Sequence, residues 1–110
     1  MKTFIINSEF MGIGDDKLGA KLTISFFRKL GLLNQQPDFI LLYNSGVKLM
    51  SKDSPILNEL QILFNNGVEI LGCGTCITSY KLDEKINVGQ ISTMHDIVSV
   101  MTKSDSVITI

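Results

Sequence analysis

The stretch DFILLYN, residues 38–44, runs five apolar or aromatic side chains in an unbroken row between Asp38 and Asn44. A strand with one wet face alternates apolar and polar residues, so an unbroken row implies a strand covered on both faces. Such strands belong to parallel sheets flanked by helices. The neighbouring sequence fits that architecture. Residues 54–64, SPILNELQILF, predict a helix with Ser54 as cap, Pro55 in its first turn and an inner face of Leu57, Leu60 and Phe64. Asn65, Asn66 and Gly67 close it. On the other side, residues 15–30 predict a second helix, with Leu18, Leu22, Phe26 and Leu30 four apart as its buried stripe. Asp15 and Asp16 suit its positive start and Gly31 its stop, while Gly19 allows a close backbone approach.

Further outward the alternation continues. TFIIN (3–7) predicts the first strand, VEIL (68–71) the third, Gln90 and Ile91 a short fourth, and SVITI (106–110) the last. A short helix is expected over 76–85, and Thr93 and Asp96 stand at capping-box spacing ahead of IVSVM. The expected fold is therefore α/β: a three-layer α/β/α sandwich with a mostly parallel sheet of about five strands, in a single domain spanning 1–110.

Composition narrows the function. Ten Lys and Arg against eleven Asp and Glu leave a net charge of -1, with Arg28 the single arginine. No basic patch with interleaved aromatics exists, so no nucleic-acid partner is expected. MKTFIINSEF does not read as a signal peptide and no apolar run reaches membrane-spanning length, which predicts a cytoplasmic chain with no membrane partner. In a reducing compartment, a C-x-x-C pair is reactive or metal-bound more often than a permanent staple.

In a parallel sheet, chemistry collects beyond the carboxyl ends of the strands. Three loops fall there: NSEFMGIGD (7–15), NSGVK (44–48) and GCGTC (72–76). The candidate reactive residues are Cys73 and Cys76. The expected supporting pocket is Gly12, Gly14, Lys17, Asn44, Ser45, Gly46, Lys48, Gly72, Gly74 and Thr75. A nucleotide loop fails in detail, because Lys17 stands where G-x-G-x-x-G needs its third glycine, and Asp15 and Asp16 repel phosphate. Two cysteines and the lone His95 are too few for a closed zinc site, so no metal or cofactor is expected. A thioredoxin fold is unlike this order, since C-x-x-C follows the third strand and no proline follows Pro55.

Three readings of the cysteines stand. A Cys73 thiolate, activated by local N–H groups or by Lys17 or Lys48, attacks a sulfane sulfur and holds it as a persulfide. Cys76, about one turn on, then resolves it to a disulfide. Alternatively the pair is a dithiol/disulfide oxidoreductase. In the third reading both are small buried hydrophobes of an oligomeric interaction or regulatory module. His95 is expected to face solvent in a first helical turn, with a general acid–base role as the alternative. Val47, Leu49 and Met50 cap the core or contact a subunit.

The segments GIGDDKLGAKL (12–22), LLYNSGVKL (41–49), EILGCGTC (69–76), VGQISTMHDIV (88–98) and SVITI, in that order and spacing, carry a family likeness. The chain resembles the DsrE-like sulfur-relay superfamily, most closely the DsrE-like domain of the sulfurtransferase-like selenium-metabolism (YedF-type) proteins. That resemblance implies a three-layer domain that assembles into homo- or hetero-oligomers and exchanges sulfur with donor and acceptor proteins. It places Cys73 at the persulfide-bearing position of some relatives and makes Cys76 an extra cysteine of the C-x-x-C branch. The TusA-like domain of fuller relatives, with its Cys-Pro motif, is not found in these residues.

Overall fold

The computed structural model describes residues 1–110. Five strands form one sheet: β1 (Lys2–Ile6), β2 (Phe39–Leu42), β3 (Glu69–Cys73), β4 (Gln90–Ser92) and β5 (Ser106–Thr109). Their order across the sheet is β4-β3-β2-β1-β5 and every pairing is parallel. Helices α1 (Asp16–Leu32), α2 (Leu57–Asn65), α3 (Gly74–Ser79) and α4 (Met94–Lys103) make the crossovers, with a 3-10 helix over Asn44–Met50. The expected α/β/α sandwich with a five-stranded parallel sheet is the observed one.

The period-2 geometry of the strands sorts their side chains into two cores. Ile6, Ile40, Leu42 and Ile70 face the layer of α1, α2, α3 and the 3-10 helix, where they meet Phe27, Leu30, Val47, Met50, Leu60, Leu63 and Ile77. Ile5, Leu41 and Cys73 face the opposite layer, which is α4 alone, and meet Ile97. The row in β2 is thus buried on both sides, as its composition requires: Ile40, Leu41 and Leu42 are fully inaccessible.

Several local expectations change. In α1 the buried face is Gly19, Thr23, Phe27 and Leu30, whereas Leu18 and Leu22 are exposed. The close approach expected at Gly19 decides this. Met11 N–H donates to the Gly19 carbonyl at 3.2 Å, and a Cβ on Gly19 would stand 2.8 Å from Phe10 Cβ. The hydroxyl of Thr23 also donates to the Glu9 carbonyl at 3.0 Å, so the chain preceding α1 folds back onto its small-residue face. Asp15 caps α1 by accepting from Leu18 N–H at 3.0 Å, and the helix runs past Gly31 to Leu32. The second helix begins at Leu57 rather than Ser54, whose hydroxyl accepts from Ile56 N–H in the preceding turn. Leu63, not Phe64, completes its inner face.

The helix expected over 76–85 starts earlier and ends at Ser79. The connection beyond it is held by backbone bonds to the end of the 3-10 helix, Lys52 N–H to Lys85 O and Asn87 N–H to Met50 O, both 2.9 Å. Those long-range bonds replace a further helical turn. Thr93 caps α4 as its spacing predicts, accepting from Asp96 N–H at 3.1 Å. No helix is long and apolar enough to cross a membrane.

Candidate functional site

Parallel strands put the ends of β1, β2 and β3 along one edge of the sheet. The register pairs Ile6 with Leu42 and Leu42 with Gly72, so the loops after Ile6, Leu42 and Cys73 lie side by side. The reversal of strand order falls between β1 and β5, yet the cysteines stand at β3. Ligands favour the reversal in open sheets of this kind. The cysteine edge is therefore a separate place.

Cys73 ends β3 and caps α3; Cys76 lies in the first turn of α3. Both are free thiols. Strand alternation turns Cys73 toward α4, where it is 2% exposed among Ile5, Leu41 and Ile97. Cys76 is half-buried and packs against both cores, including the cluster that holds Cys73. Its sulfur accepts the backbone N–H of Asn44 at 3.1 Å. Burial pushes the Cys76 thiol above its ordinary value; the Asn44 N–H opposes this, and the neighbouring Cys73 thiol adds to it. Cys76 at rest is thus a protonated thiol, not the activated thiolate that an electropositive loop would produce.

Asn44 adopts a left-handed backbone conformation, φ 49°, which asparagine tolerates better than most residues. Its side-chain carbonyl accepts the hydroxyl of Tyr80 at 2.9 Å. Lys48 Nζ lies 4.6 Å from the centroid of that tyrosine ring and 3.2 Å from Glu9 Oε2. A chain of contacts, Glu9–Lys48–Tyr80–Asn44, therefore ends on the Cys76 sulfur. Ser45 Oγ accepts from Glu9 N–H at 3.2 Å, tying the same two loops. A Cβ on Gly46 would collide with the Ile6 carbonyl, so only glycine lets the 3-10 helix sit against the end of β1.

The glycines beside the cysteines make room for the protein itself rather than for a bulky donor. A Cβ on Gly72 would run into Met50, and one on Gly74 would meet the Ser92 carbonyl at 3.1 Å. Thr75 is exposed. Gly12 and Gly14 take positive φ in an exposed turn that packs near Leu18, Gly19 and Leu22 of α1. Neither they nor Lys17 make a hydrogen bond or ion pair with the cysteine edge. His95 is exposed in the first turn of α4. No three His, Cys, Asp or Glu side chains cluster in a way that could hold a metal ion.

Sequence reasoning missed Tyr80, Glu9 and the Ser92–Asp96 bond of 3.0 Å beside Cys73. Tyr80 sits 36 residues from Asn44, and nothing in local spacing signals their contact.

A parallel α/β sandwich carrying a free dithiol at its strand edge defines the class. The sequence profile of the DsrE/DsrF-like family matches residues 1–110, and the chain belongs to that family. Solved structures share the fold. The protein MTH1491 from Methanobacterium thermoautotrophicum matches with a TM-score of 0.70 at 22% identity, covering 99% of this chain and 97% of that one. The ychN protein from E. coli matches at 0.67 and 18% identity, covering 99% and 98%. BT1422 from Bacteroides thetaiotaomicron matches at 0.64 and 15%, covering 99% and 94%. No curated protein matches the sequence. None of these matches singles out the selenium-associated branch.

Proposed function

We propose that the domain carries sulfane sulfur on the Cys73–Cys76 dithiol, as a sulfur-carrier or sulfurtransferase-like protein that takes the sulfur from a donor and passes it on. The observation that carries this reading is the juxtaposition of two free thiols at the carboxyl end of β3, one beneath α4 and one held by the Asn44 N–H. A lone buried cysteine is ordinary packing, whereas neighbouring thiols allow S–S bond formation and exchange. Family membership supports the class of chemistry without supplying the donor or acceptor. The likeness to selenium-associated relatives rests on the motifs alone. The proposal calls for a reducing setting such as the cytoplasm, where both thiols stay free. Exposed Leu18 and Leu22 favour work within an assembly.

The test is intact-mass analysis of reduced protein incubated with a sulfane-sulfur donor. Gain of one sulfur atom, or release of sulfide with closure of the disulfide, is expected and should vanish when both cysteines are serine. Neither event on fully reduced protein would remove the proposal. The adjacency of the thiols also favours a second reading, exchange with organic disulfides, which predicts loss of two hydrogens without sulfide release.

A further inference from the structure

We propose that Cys76 is the thiol that accepts sulfur from the donor, and that Cys73 is its buried resolving partner. This deepens the sulfur-carrier reading above and rests on it. It reverses the order expected from the cysteine nearest the strand end.

Access decides the order. Displacement at an S–S bond needs the attacking sulfur, the transferred sulfur and the leaving sulfur nearly in line, so the donor must extend directly away from the attacking thiolate. Cys73 is 2% exposed and covered by Ile5, Leu41 and Ile97, which leaves no line of approach for a donor. Cys76 is partly open, on a face bounded by exposed Asn44, Thr75 and Tyr80. The Asn44 N–H, 3.1 Å from its sulfur, is a ready donor to the thiolate that must form before attack. The proton leaves to solvent.

The steps balance. Cys76 thiolate attacks the outer sulfur of a donor persulfide; the new S–S bond forms on Cys76 as the donor's S–S bond breaks, and the donor leaves as thiolate. If a protein acceptor's thiolate then attacks the outer sulfur, the cargo moves on and Cys76 is restored. If Cys73 thiolate attacks the inner sulfur instead, the Cys73–Cys76 disulfide forms and hydrosulfide leaves. In that branch the two cysteines lose two electrons, the sulfane sulfur gains them, and an external dithiol reductant must reset the pair.

The experiment uses the reduced full chain with inorganic tetrasulfide as the probe. Cys73→Ser is expected to accumulate one stable added sulfur, because nothing resolves it. Cys76→Ser is expected to load about tenfold more slowly or not at all. Loading of Cys76→Ser at the wild-type rate, with Cys73→Ser inert, overturns the assignment while leaving the sulfur-carrier reading intact. Wild-type protein that neither gains sulfur nor releases sulfide overturns both. Brief iodoacetamide labelling of the unsubstituted native protein, read by peptide mapping, guards against misfolded variants. Cys76 should label about tenfold or more faster than Cys73, and the opposite order rejects the proposal.

Discussion

The backbone N–H of Asn44 donates to the Cys76 sulfur at 3.1 Å, joining residues 32 apart in the chain. The left-handed turn at Asn44 aims that N–H, and the Tyr80 hydroxyl holds the asparagine side chain. Tyr80→Phe removes the hydroxyl and keeps the ring beneath Lys48. Alkylation of Cys76 should slow roughly twofold, the scale of one neutral surface hydrogen bond of ~0.5 kcal/mol. An unchanged rate would show that Asn44 keeps its geometry without the tyrosine.

A pH dependence follows from the raised Cys76 thiol, whose first cause is burial, with the Asn44 N–H opposing and Cys73 adding. The folded chain holds this proton more tightly than the unfolded chain. The associated stability is complete below the unfolded thiol value of about 8.5 and is lost as pH rises through the higher folded value. The melting temperature should fall on the alkaline side, and fall less in Cys76→Ser. Identical alkaline limbs in the two proteins would place the titration elsewhere.

The cover on Cys73 is open to a direct test. Ile97 is the only fully buried side chain of α4 and packs against Cys73. Ile97→Ala should cost about 2–5 kcal/mol in denaturant unfolding, the range for an emptied core site. It should also raise Cys73 labelling in the native protein. Loss of stability with Cys73 still unreactive would mean that the neighbouring strands, rather than α4, shield it.

The two faces of α1 predict opposite outcomes. Phe27 is 1% exposed and Leu18 is 55% exposed. Phe27→Ala should cost about 3–5 kcal/mol, and Leu18→Glu should leave monomer stability within about 0.5 kcal/mol. A large loss for Leu18→Glu in a demonstrably monomeric sample would contradict the observed face.

Strands and the cysteine edge were legible because they rest on local signals. An unbroken apolar row such as 38–44 has one physical outlet, burial on two faces. Gly72 and Gly74 mark the edge of the sheet, although β3 runs through Gly72 to Cys73 rather than stopping at Leu71. The face of α1 was not legible. Residues 18-22-26-30 and 19-23-27-30 both follow helical spacing, and bulk favours the first. The second wins because Gly19 and Thr23 let the Phe10–Met11 backbone approach, and closeness of that kind leaves no mark in hydropathy. The burial of Cys73 was hidden for a related reason. Proximity to the strand end singled out Cys73, but strand parity points it inward, and parity depends on the exact residue at which β3 stops.

β1 pairs on one side with β2 and on the other with β5, where Lys2 stands opposite Ser106. The first pairing closes a loop of modest length; the second brings together nearly the whole chain, and loops of that span form late. The helix that shelters Cys73 lies in the segment between β4 and β5. During refolding, β1, β2 and β3 can therefore associate and present both sulfurs before α4 docks. A thiol-specific oxidant met in that interval would reach Cys73 without the cover of Ile97, which the finished fold places over it.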